Sequence, residues 1–327
     1  MNVLLIGGSG FIGTHVAAAL VRQGHDVTVF HRGKTPAVSG AAEIIGDRSR
    51  LSSSADALRA LIPDVVIDLI LSSGRQAREL ATIFRGAASR IVALSSCDVY
   101  RACGVLHGSE PGPLEPLPLT EDSALRTKLQ TYPPDRIREL RQVFGWLDDE
   151  YDKIPVEREI LGDRDIDGTV LRLPMVYGPG DPLHRNFALL KQMNDRRPTI
   201  LFSEKHAAWR GPRGYVENVA AAIVLAATTQ AAARRVYNVG EPDCLSELEW
   251  AREMATATGW PGELITLPDD RTPAHLRQPG NLDQHWVVDT TRIRDELGFA
   301  EPITRQEAIA RTIEWERRSR VGELESW

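Results

Sequence analysis

Three glycines near the start of the chain have the spacing of a dinucleotide-binding loop. Gly7, Gly10 and Gly13 follow an apolar run at residues 2–6 that predicts a buried strand. Gly7 permits a tight turn, Gly10 lets the backbone approach a pyrophosphate, and Gly13 lets a helix pack on the strand. The free N–H groups at the start of that helix would face the phosphates.

The elements on either side of the glycines are those of a strand–helix–strand unit. Apolar residues recur on one helical face directly after the loop: Phe11, Ile12, Val16, Leu20 and Val21. Gly24 stands where that helix should end, and residues 26–30 predict a second strand. Ordinary turns also use glycine, but this context favours a nucleotide site in which Phe11 and Ile12 belong to the cofactor-binding loop.

Strands and helices continue to alternate after this unit. Further strands are predicted at residues 42–45, 64–70, 90–94 and 169–173, and helices at 55–61 and 75–84. The alternation predicts an α/β fold, a Rossmann-like doubly wound parallel sheet with a smaller C-terminal substrate domain. We expect residues 1–175, with 214–240 returning to them, to form the dinucleotide-binding domain. Residues 176–213 and 241–327 would then form the smaller domain.

The alternation is interrupted in the middle of the chain. Residues 101–134 are rich in proline and are predicted to lack regular structure, either as a lid or as a surface excursion without a role. Residues 135–161 have a mostly helical pattern. The remaining predictions are helices at 219–227, 245–258 and 305–318 and strands at 235–239 and 263–267.

Composition limits the classes of function. The net charge of −6 offers no basic surface for nucleic acid or for an anionic membrane. Cys97, Cys103 and Cys244 form neither a disulfide framework nor a metal-ligand spacing, so we expect no metal. No apolar run is long enough to span a bilayer, and the first strand leaves no room for a signal peptide, so we expect a cytoplasmic protein.

The end of the second strand bears on the choice of nicotinamide cofactor. An acidic residue there would hold the 2′-hydroxyl of NAD, but His31 occupies this place and Arg32 and Lys34 follow. Because a guanidinium suits a 2′-phosphate, NADP(H) is favoured over NAD(H), although a solvated basic loop would have the same sequence. Asp47, after the third strand, is placed either to contact the adenine amine or to cap the next segment.

Several motifs together resemble the extended short-chain dehydrogenases/reductases of the NAD-dependent epimerase/dehydratase group. They are the glycine loop, Ser95-Ser-Cys-Asp-Val-Tyr100, Tyr151, Leu171-Arg-Leu-Pro-Met-Val-Tyr-Gly-Pro179, Gly214-Tyr-Val-Glu-Asn-Val219 and Val236-Tyr-Asn-Val-Gly240. The resemblance covers nearly the whole chain. It implies an NAD(P)-dependent epimerase, dehydratase or reductase acting on a hydroxyl-bearing metabolite, for example a nucleotide sugar. It also places Leu71, Pro174 and Val176 at the cofactor.

The resemblance implies catalysis by a tyrosine phenolate. Tyr151 maps onto the base and Ser96 onto the hydroxyl that holds the same substrate oxygen. A lysine four residues after the tyrosine would lower its pKa, but Pro155 stands there. Lys153 would point about 200° away from Tyr151 on a continuous helix. If a helix begins near Ile154, Lys153 is free to fold back; otherwise the site lacks its lysine.

Two further departures concern the end of the fifth strand. In dehydratases of this group a carboxylate stands two residues before the motif tyrosine and works as an acid or base, and Asp98 has that place. Its alternative role is to cap the following turn. Cys97 stands where those enzymes carry an aspartate, and a small buried residue is the simplest interpretation.

The resemblance also implies a substrate cleft and an assembly. Arg210 and Arg213 flank Tyr215, in a region where the family binds a phosphate or carboxylate, and Asn186 is expected to line the cleft. The family often forms homodimers. The alternative is an atypical member that keeps the dinucleotide site without redox chemistry and works as a regulatory or interaction protein. Such a protein could contact RNA, but the net negative charge of this chain opposes that role.

Overall fold

The computed structural model of the protein describes residues 1–130 and 132–319. Its strands are β1 (Asn2–Ile6), β2 (Asp26–His31), β3 (Ala42–Ile45), β4 (Val65–Asp68), β5 (Arg90–Ser96), β6 (Asp167–Leu173), β7 (Met175–Tyr177), β8 (Thr199–Ser203), β9 (Arg213–Tyr215), β10 (Val236–Asn238) and β11 (Glu263–Leu267). Its α-helices are α1 (Phe11–Arg22), α2 (Ala55–Arg59), α3 (Gly74–Phe84), α4 (Arg101–Leu106), α5 (Pro134–Val143), α6 (Lys153–Gly162), α7 (Phe187–Asn194), α8 (Glu204–Ala208), α9 (Val216–Thr228), α10 (Glu247–Thr258), α11 (Thr291–Leu297) and α12 (Arg305–Ser319).

Seven of these strands form one parallel sheet in the order β10-β6-β5-β4-β1-β2-β3. The order reverses between β1 and β4, because β2 and β3 extend the sheet on one side and β4 to β6 on the other. In open α/β sheets a ligand binds at such a switch point, beyond the carboxyl ends of the strands. The predicted Rossmann-like fold is confirmed.

The first strand is buried on both faces of the sheet. Val3 and Leu5 join the apolar cluster that includes the inner faces of α1 and α9, whereas Leu4 and Ile6 join the cluster beneath α3 and α6. All four side chains are at most 1% exposed. A strand covered by helices on both sides explains the continuous apolar run at the start of the sequence.

The C-terminal part of the chain adds two small parallel ladders. β7 pairs with β9, and β8 pairs with β11, while α10 packs against α7, α8 and α12. β10 returns to the main sheet beside β6. The division into a domain of residues 1–175 and 214–240 and a smaller one of 176–213 and 241–327 stays a prediction.

The prediction for the middle of the chain was partly wrong. Residues 101–106 form α4, and five of these six residues are buried. The prolines that prevent helix formation begin only at Pro111. The predicted helix at 135–161 is divided into α5 and α6. Asp152 ends the break, since its side chain accepts a hydrogen bond of 2.8 Å from the Ile154 backbone N–H and so caps α6.

Within residues 1–130 and 132–319, no helix is long and apolar enough to cross a membrane. Cytoplasmic location and assembly as a homodimer stay predictions.

The glycine loop yields a test of packing. A Cβ added at Gly13 would lie 2.4 Å from the Gly7 carbonyl oxygen. Relieving this clash would require the backbone of the glycine loop to move. Gly13→Ala should therefore lower the free energy of unfolding by about 2 kcal/mol, measured by urea denaturation, despite the better helix propensity of alanine.

Gly162→Ala is the matched control. Gly162 also lies in a helix, but a Cβ there has nothing within 4 Å, so this variant should be as stable as the wild type or slightly more stable. Equal stability of the two variants would contradict the close approach of α1 to the loop.

Candidate functional site

The glycine loop has the form of a phosphate cradle. Gly7 has φ +85°, and its N–H donates to the Phe30 carbonyl at 3.0 Å. Gly10 stands before α1, whose N-terminus has no side-chain cap. A Cβ on Gly10 would come no closer than 3.5 Å to the rest of the protein, so the space above it is open. These features fit the pyrophosphate of a dinucleotide, which the uncapped N–H groups would bind.

A cavity of about 580 Å³ opens above this loop, at the switch point of the sheet. Its walls contain most of the residues predicted to bind the cofactor, namely Gly7, Gly10, Phe11, Ile12, Gly13, Arg32 and Asp47. The lining also contains residues 141 and 143–149, which the sequence had not assigned to the site.

The other three predicted cofactor residues are not part of this lining. The carbonyl oxygen of Leu71 accepts a hydrogen bond from the Lys153 ammonium. The carbonyl oxygen of Val176 accepts one from Arg185 at 2.8 Å, and Pro174 packs beside Gly214. Their assignment to the cofactor stays a prediction.

The end of β2 carries basic and buried polar groups. Arg32 is exposed and donates through Nη1 to the Gly145 carbonyl at 3.2 Å. His31 is buried, with Nε2 at 3.3 Å from a Glu43 carboxylate oxygen. Asp47 accepts hydrogen bonds from the Ser49 N–H and hydroxyl, which lower the pKa of Asp47. Asp47 thus both caps the next turn and lines the cavity.

Asp98 is the centre of a second group of side chains, beyond β5. Its Oδ2 accepts hydrogen bonds from the hydroxyls of Tyr151 at 3.2 Å and Tyr132 at 3.3 Å. Its Oδ1 is buried without a hydrogen-bond partner. Tyr132 was not predicted, because it lies in the proline-rich stretch, whose pattern gives no sign of which side chains turn inward.

Burial sets the protonation of these groups. Burial raises the pKa of Asp98, and the nearby Arg126 and Lys153 cations offset part of that rise. The pKa of Tyr151 lies well above its ordinary value, first because the phenol is buried and second because the Asp98 charge opposes a phenolate. Tyr151 is therefore a neutral hydrogen-bond donor in this arrangement, and Asp98 is the acceptor.

Lys153 folds back beneath Tyr151. It is the first residue of α6, and its ammonium donates to the carbonyl oxygens of Leu71 and, at 2.9 Å, Leu94. The ammonium lies 5.7 Å from the centre of the Tyr151 ring. Burial lowers the pKa of Lys153 to about 8, although the surrounding carboxylates, Asp98 first, oppose the shift. The cation thus lies under the ring, while the hydroxyl faces the carboxylate.

Arg126 connects the two carboxylates of the site, and the sequence had not singled it out. Its Nε donates to the Asp98 carbonyl at 2.5 Å, and its Nη1 lies 3.3 Å from the Asp152 carboxylate. Asp152 in turn accepts from the Gln130 N–H at 2.7 Å and caps α6. The pair thus ties the backbone at Asp98 and Gln130 to the residue that follows Tyr151.

Ser96 and Cys97 have local roles. The Ser96 hydroxyl accepts a hydrogen bond of 3.1 Å from the Asp98 N–H and caps the 3₁₀ turn at Cys97–Val99. It is therefore Ser96, and not Asp98, that caps this turn. The Cys97 thiol donates to the Arg172 carbonyl at 3.6 Å, and burial raises its pKa well above the ordinary value. This agrees with a small buried residue at position 97.

The predicted substrate residues lie on the C-terminal part of the chain. Arg213 pairs with Glu247 and stacks over Trp250 at 4.7 Å, and its Nη1 is buried without a hydrogen-bond partner. Asn186 accepts a hydrogen bond of 3.0 Å from the Trp250 indole. Arg213 and Asn186 therefore meet at one tryptophan, and their contact with a substrate stays a prediction.

Arg210 is attached to the end of β5 through a neighbouring segment. It donates to the Cys244 carbonyl at 2.8 Å and pairs with Glu249 at 3.2 Å. Its carbonyl accepts from the Trp286 N–H at 2.8 Å, and the Trp286 indole donates to the Cys97 carbonyl at 3.1 Å. Trp286 thus connects the Arg210 backbone to Cys97, the residue before Asp98.

The buried lysine yields a pH-dependent prediction. An unfolded chain binds the Lys153 proton up to pH about 10.4, whereas the folded protein releases it near pH 8, so stability rises with pH between these values. The free energy of unfolding of the wild type should rise relative to Lys153→Met by about 2 kcal/mol from pH 8 to pH 10, measured by urea denaturation.

The comparison uses the difference between the two proteins, because titrations shared by both cancel. Lys205→Met is the control, since this lysine is exposed and pairs with Asp283 on the surface. A difference between the wild type and Lys153→Met that stays constant from pH 8 to pH 10 would contradict a buried, desolvated ammonium.

Comparisons with known proteins identify the family and support the fold. Residues 3–120 and 156–240 match the model of the NAD dependent epimerase/dehydratase family.

Among the residues that the structure describes, no group of three or more His, Cys, Asp and Glu could hold a metal ion.

Individual relatives are distant. A chloroplast stem-loop binding protein of 41 kDa from Arabidopsis thaliana is 23% identical over 319 residues, covering 91% of this chain and 74% of its own. A dTDP-glucose 4,6-dehydratase from Streptomyces niveus is 32% identical over 89 residues, 27% of this chain and 24% of its own.

The solved structure of MoeE5 in complex with UDP-glucuronic acid and NAD has a TM-score of 0.69 and 22% identity, covering 98% of this chain and 100% of its own. Its likeness shows the same fold. Since the family model matches well over half of the sequence, the chain belongs to the NAD dependent epimerase/dehydratase family.

Proposed function

We propose that the protein is an NAD(P)-dependent epimerase, dehydratase or related oxidoreductase that acts on a nucleotide sugar. Membership of the family and the open glycine cradle support a nicotinamide dinucleotide. MoeE5 in its complex with UDP-glucuronic acid and NAD, and the dTDP-glucose 4,6-dehydratase from Streptomyces niveus, support a nucleotide sugar as substrate class.

The observation that carries the proposal is the hydrogen bond from Tyr151 to Asp98. A buried carboxylate that already accepts a phenol hydrogen bond is placed to receive that proton. The Tyr151 phenol is desolvated beside Asp98, which is 2% exposed, but Tyr151 as a whole residue keeps partial exposure, so a substrate would reach Tyr151 before Asp98. Lys153 beneath the ring and Arg126 beside the carboxylate keep the local charge balanced.

The proton would pass in two linked transfers. The substrate hydroxyl gives its proton to the Tyr151 oxygen while the phenol proton moves to the Asp98 carboxylate. The carbon bearing that hydroxyl loses a hydride and becomes a carbonyl carbon. A nicotinamide dinucleotide, with its pyrophosphate held by the glycine cradle, would supply the hydride acceptor. Reversal of the same transfers returns the proton to the substrate, and Tyr151 is never a free phenolate.

The carboxylate is tested by Asp98→Asn, which keeps the size of the side chain and a carbonyl acceptor but removes the base. We expect kcat to fall by about 10²- to 10⁴-fold. Since Asp98 must be ionised to accept a proton, wild-type kcat should decline as the pH falls through its raised pKa, and this decline should be absent from the residual activity of Asp98→Asn.

The assay incubates the protein with NAD⁺ or NADP⁺ and UDP-glucuronic acid, UDP-glucose or dTDP-glucose, with products identified by mass spectrometry. Tyr132→Phe is the matched control, since it removes a hydrogen bond to the same Asp98 oxygen but leaves Tyr151 in place. Tyr151→Phe should lose far more activity than Tyr132→Phe. Full activity of Asp98→Asn would exclude the relay.

The choice of cofactor is a second test. Arg32 and Lys34 line the cavity at the end of β2 and favour the 2′-phosphate of NADP(H), whereas the solved relative is bound to NAD. We expect NADPH to bind more tightly than NADH, and Arg32→Ala to weaken NADPH about tenfold while changing NADH little, in parallel fluorescence titrations.

Arg136→Ala is the control for this titration, because Arg136 is an exposed residue of α5 that pairs with Glu139 in the same helix. Equal binding of NADPH and NADH, unchanged in Arg32→Ala, would show that the basic residues after β2 do not select the cofactor.

RNA contact is the second candidate, because the Arabidopsis relative is named a stem-loop binding protein and its match spans most of the chain. The net charge of −6 opposes it. A filter-binding titration with a stem-loop RNA at low and high salt separates the candidates: tight, salt-sensitive binding together with failure to bind any dinucleotide would favour the RNA role.

A further inference from the structure

The turn at residues 144–146 lines the cofactor cavity and contacts two groups outside the turn. The Gly145 carbonyl accepts a hydrogen bond from Arg32, which follows β2 and also lines the cavity. The next residue, Trp146, places its ring 5.9 Å from the Lys153 ammonium, which lies beneath Tyr151. Two consecutive residues therefore connect the basic end of β2 with the lysine of the Asp98 group.

The turn and the glycine loop line the same cavity. Gly10 and Ile12 contribute to its lining together with Phe144, Gly145 and Trp146. The Phe144 and Trp146 rings contact each other with their centres 5.8 Å apart. A Cβ on Gly145 would lie 3.3 Å from the Arg32 guanidinium, so this arginine packs closely on the turn.

A buried aspartate fastens the end of this turn. The Asp148 carboxylate accepts a hydrogen bond of 3.1 Å from the Ser73 hydroxyl and pairs with Arg75, at the start of α3. Its backbone N–H donates to the Ser72 hydroxyl at 3.0 Å. Leu147 beside it is buried. The turn is thus attached to the loop between β4 and α3, which forms part of the cradle's rim.

We propose that residues 144–148 form a roof over the bound dinucleotide, with Trp146 against its nicotinamide half and Asp148 as the latch. This inference rests on the proposed function. Because the roof is attached to Arg32, to the loop before α3 and to the neighbourhood of Lys153, a dinucleotide beneath it would leave only when the turn opens. The cofactor is then retained from one turnover to the next. That behaviour suits an epimerase or dehydratase, which returns the hydride to the substrate, better than a reductase that exchanges its cofactor each cycle.

The test measures cofactor exchange directly. NADPH or NADH is bound to the full chain and displaced by excess oxidised cofactor, and the loss of dihydronicotinamide fluorescence gives the dissociation rate. We expect slow dissociation from the wild type and a rate about tenfold faster for Asp148→Ala, which removes the latch. Glu139→Ala, on exposed α5, is the matched control and should dissociate at the wild-type rate.

Hydrogen exchange provides a second measurement that does not depend on a variant folding. Backbone amides of residues 144–148 in the wild type should exchange at least fivefold more slowly once the dinucleotide is bound. Unchanged exchange there, or equal dissociation rates from the wild type and Asp148→Ala, would overturn the roof. If a dinucleotide binds tightly but dissociates rapidly, this inference alone is overturned. If none of NAD⁺, NADH, NADP⁺ and NADPH binds, the proposed function is overturned with it.

Discussion

The buried ammonium of Lys153 is the interaction on which the rest of the site depends. It joins three parts of the fold, because it stands at the start of α6 and donates to the carbonyl oxygens of Leu71, in the loop after β4, and of Leu94, near the end of β5. Taking an ammonium out of water costs several kcal/mol unless it is hydrogen-bonded and balanced by opposite charge. The two carbonyls and the carboxylate of Asp98 provide that balance. Tyr151 is consequently held where its ring covers the cation and its hydroxyl faces Asp98.

A second buried pair fixes the orientation of the same helix. Glu157, one turn further along α6, accepts hydrogen bonds from Nε and Nη2 on one edge of the Arg172 guanidinium at 3.0 and 2.7 Å. Arg172 stands on β6 and also donates to the Tyr100 hydroxyl at 2.9 Å. Removing one partner of such a pair typically costs ~3–5 kcal/mol, since the other charge stays buried and unpaired. Helix α6 is therefore attached to the sheet at two points, through Lys153 to β5 and through Glu157 to β6. These two contacts restrict both rotation and translation of the helix.

The sequence predicted the parts of the molecule that depend on local pattern. β3 and β11 have the predicted bounds, and the glycine loop lies in the predicted strand-to-helix turn, because apolar period and glycine spacing are properties of adjacent residues. Arg126 and Tyr132 could not be found in this way. They come from a segment without periodicity, and they reach Asp98 only through contacts between residues that are 28 and 34 positions apart. The roof was missed for a related reason: Pro155 indicated a helix start near Ile154, but the helical pattern from 135 to 161 did not show that α5 ends at Val143.

Pro155 gave the strongest argument against an intact site, and the structure changes its meaning. Proline is tolerated in the first turn of a helix because the N–H groups there have no intrahelical partner. With Asp152 as the cap, Pro155 falls in this first turn and packs against Gly74 of α3. Tyr151 then precedes the helix, so the angle of about 200° that would separate it from Lys153 on a continuous helix does not apply. The late start of α6 is what brings tyrosine and lysine together. The same late start leaves residues 144–151 outside any helix, free to lie across the cofactor cavity. Pro155 stands where the lysine is expected, and Lys153 provides an ammonium two residues earlier. The Tyr151 ring therefore lies next to a cation, while its hydroxyl donates to the Asp98 carboxylate.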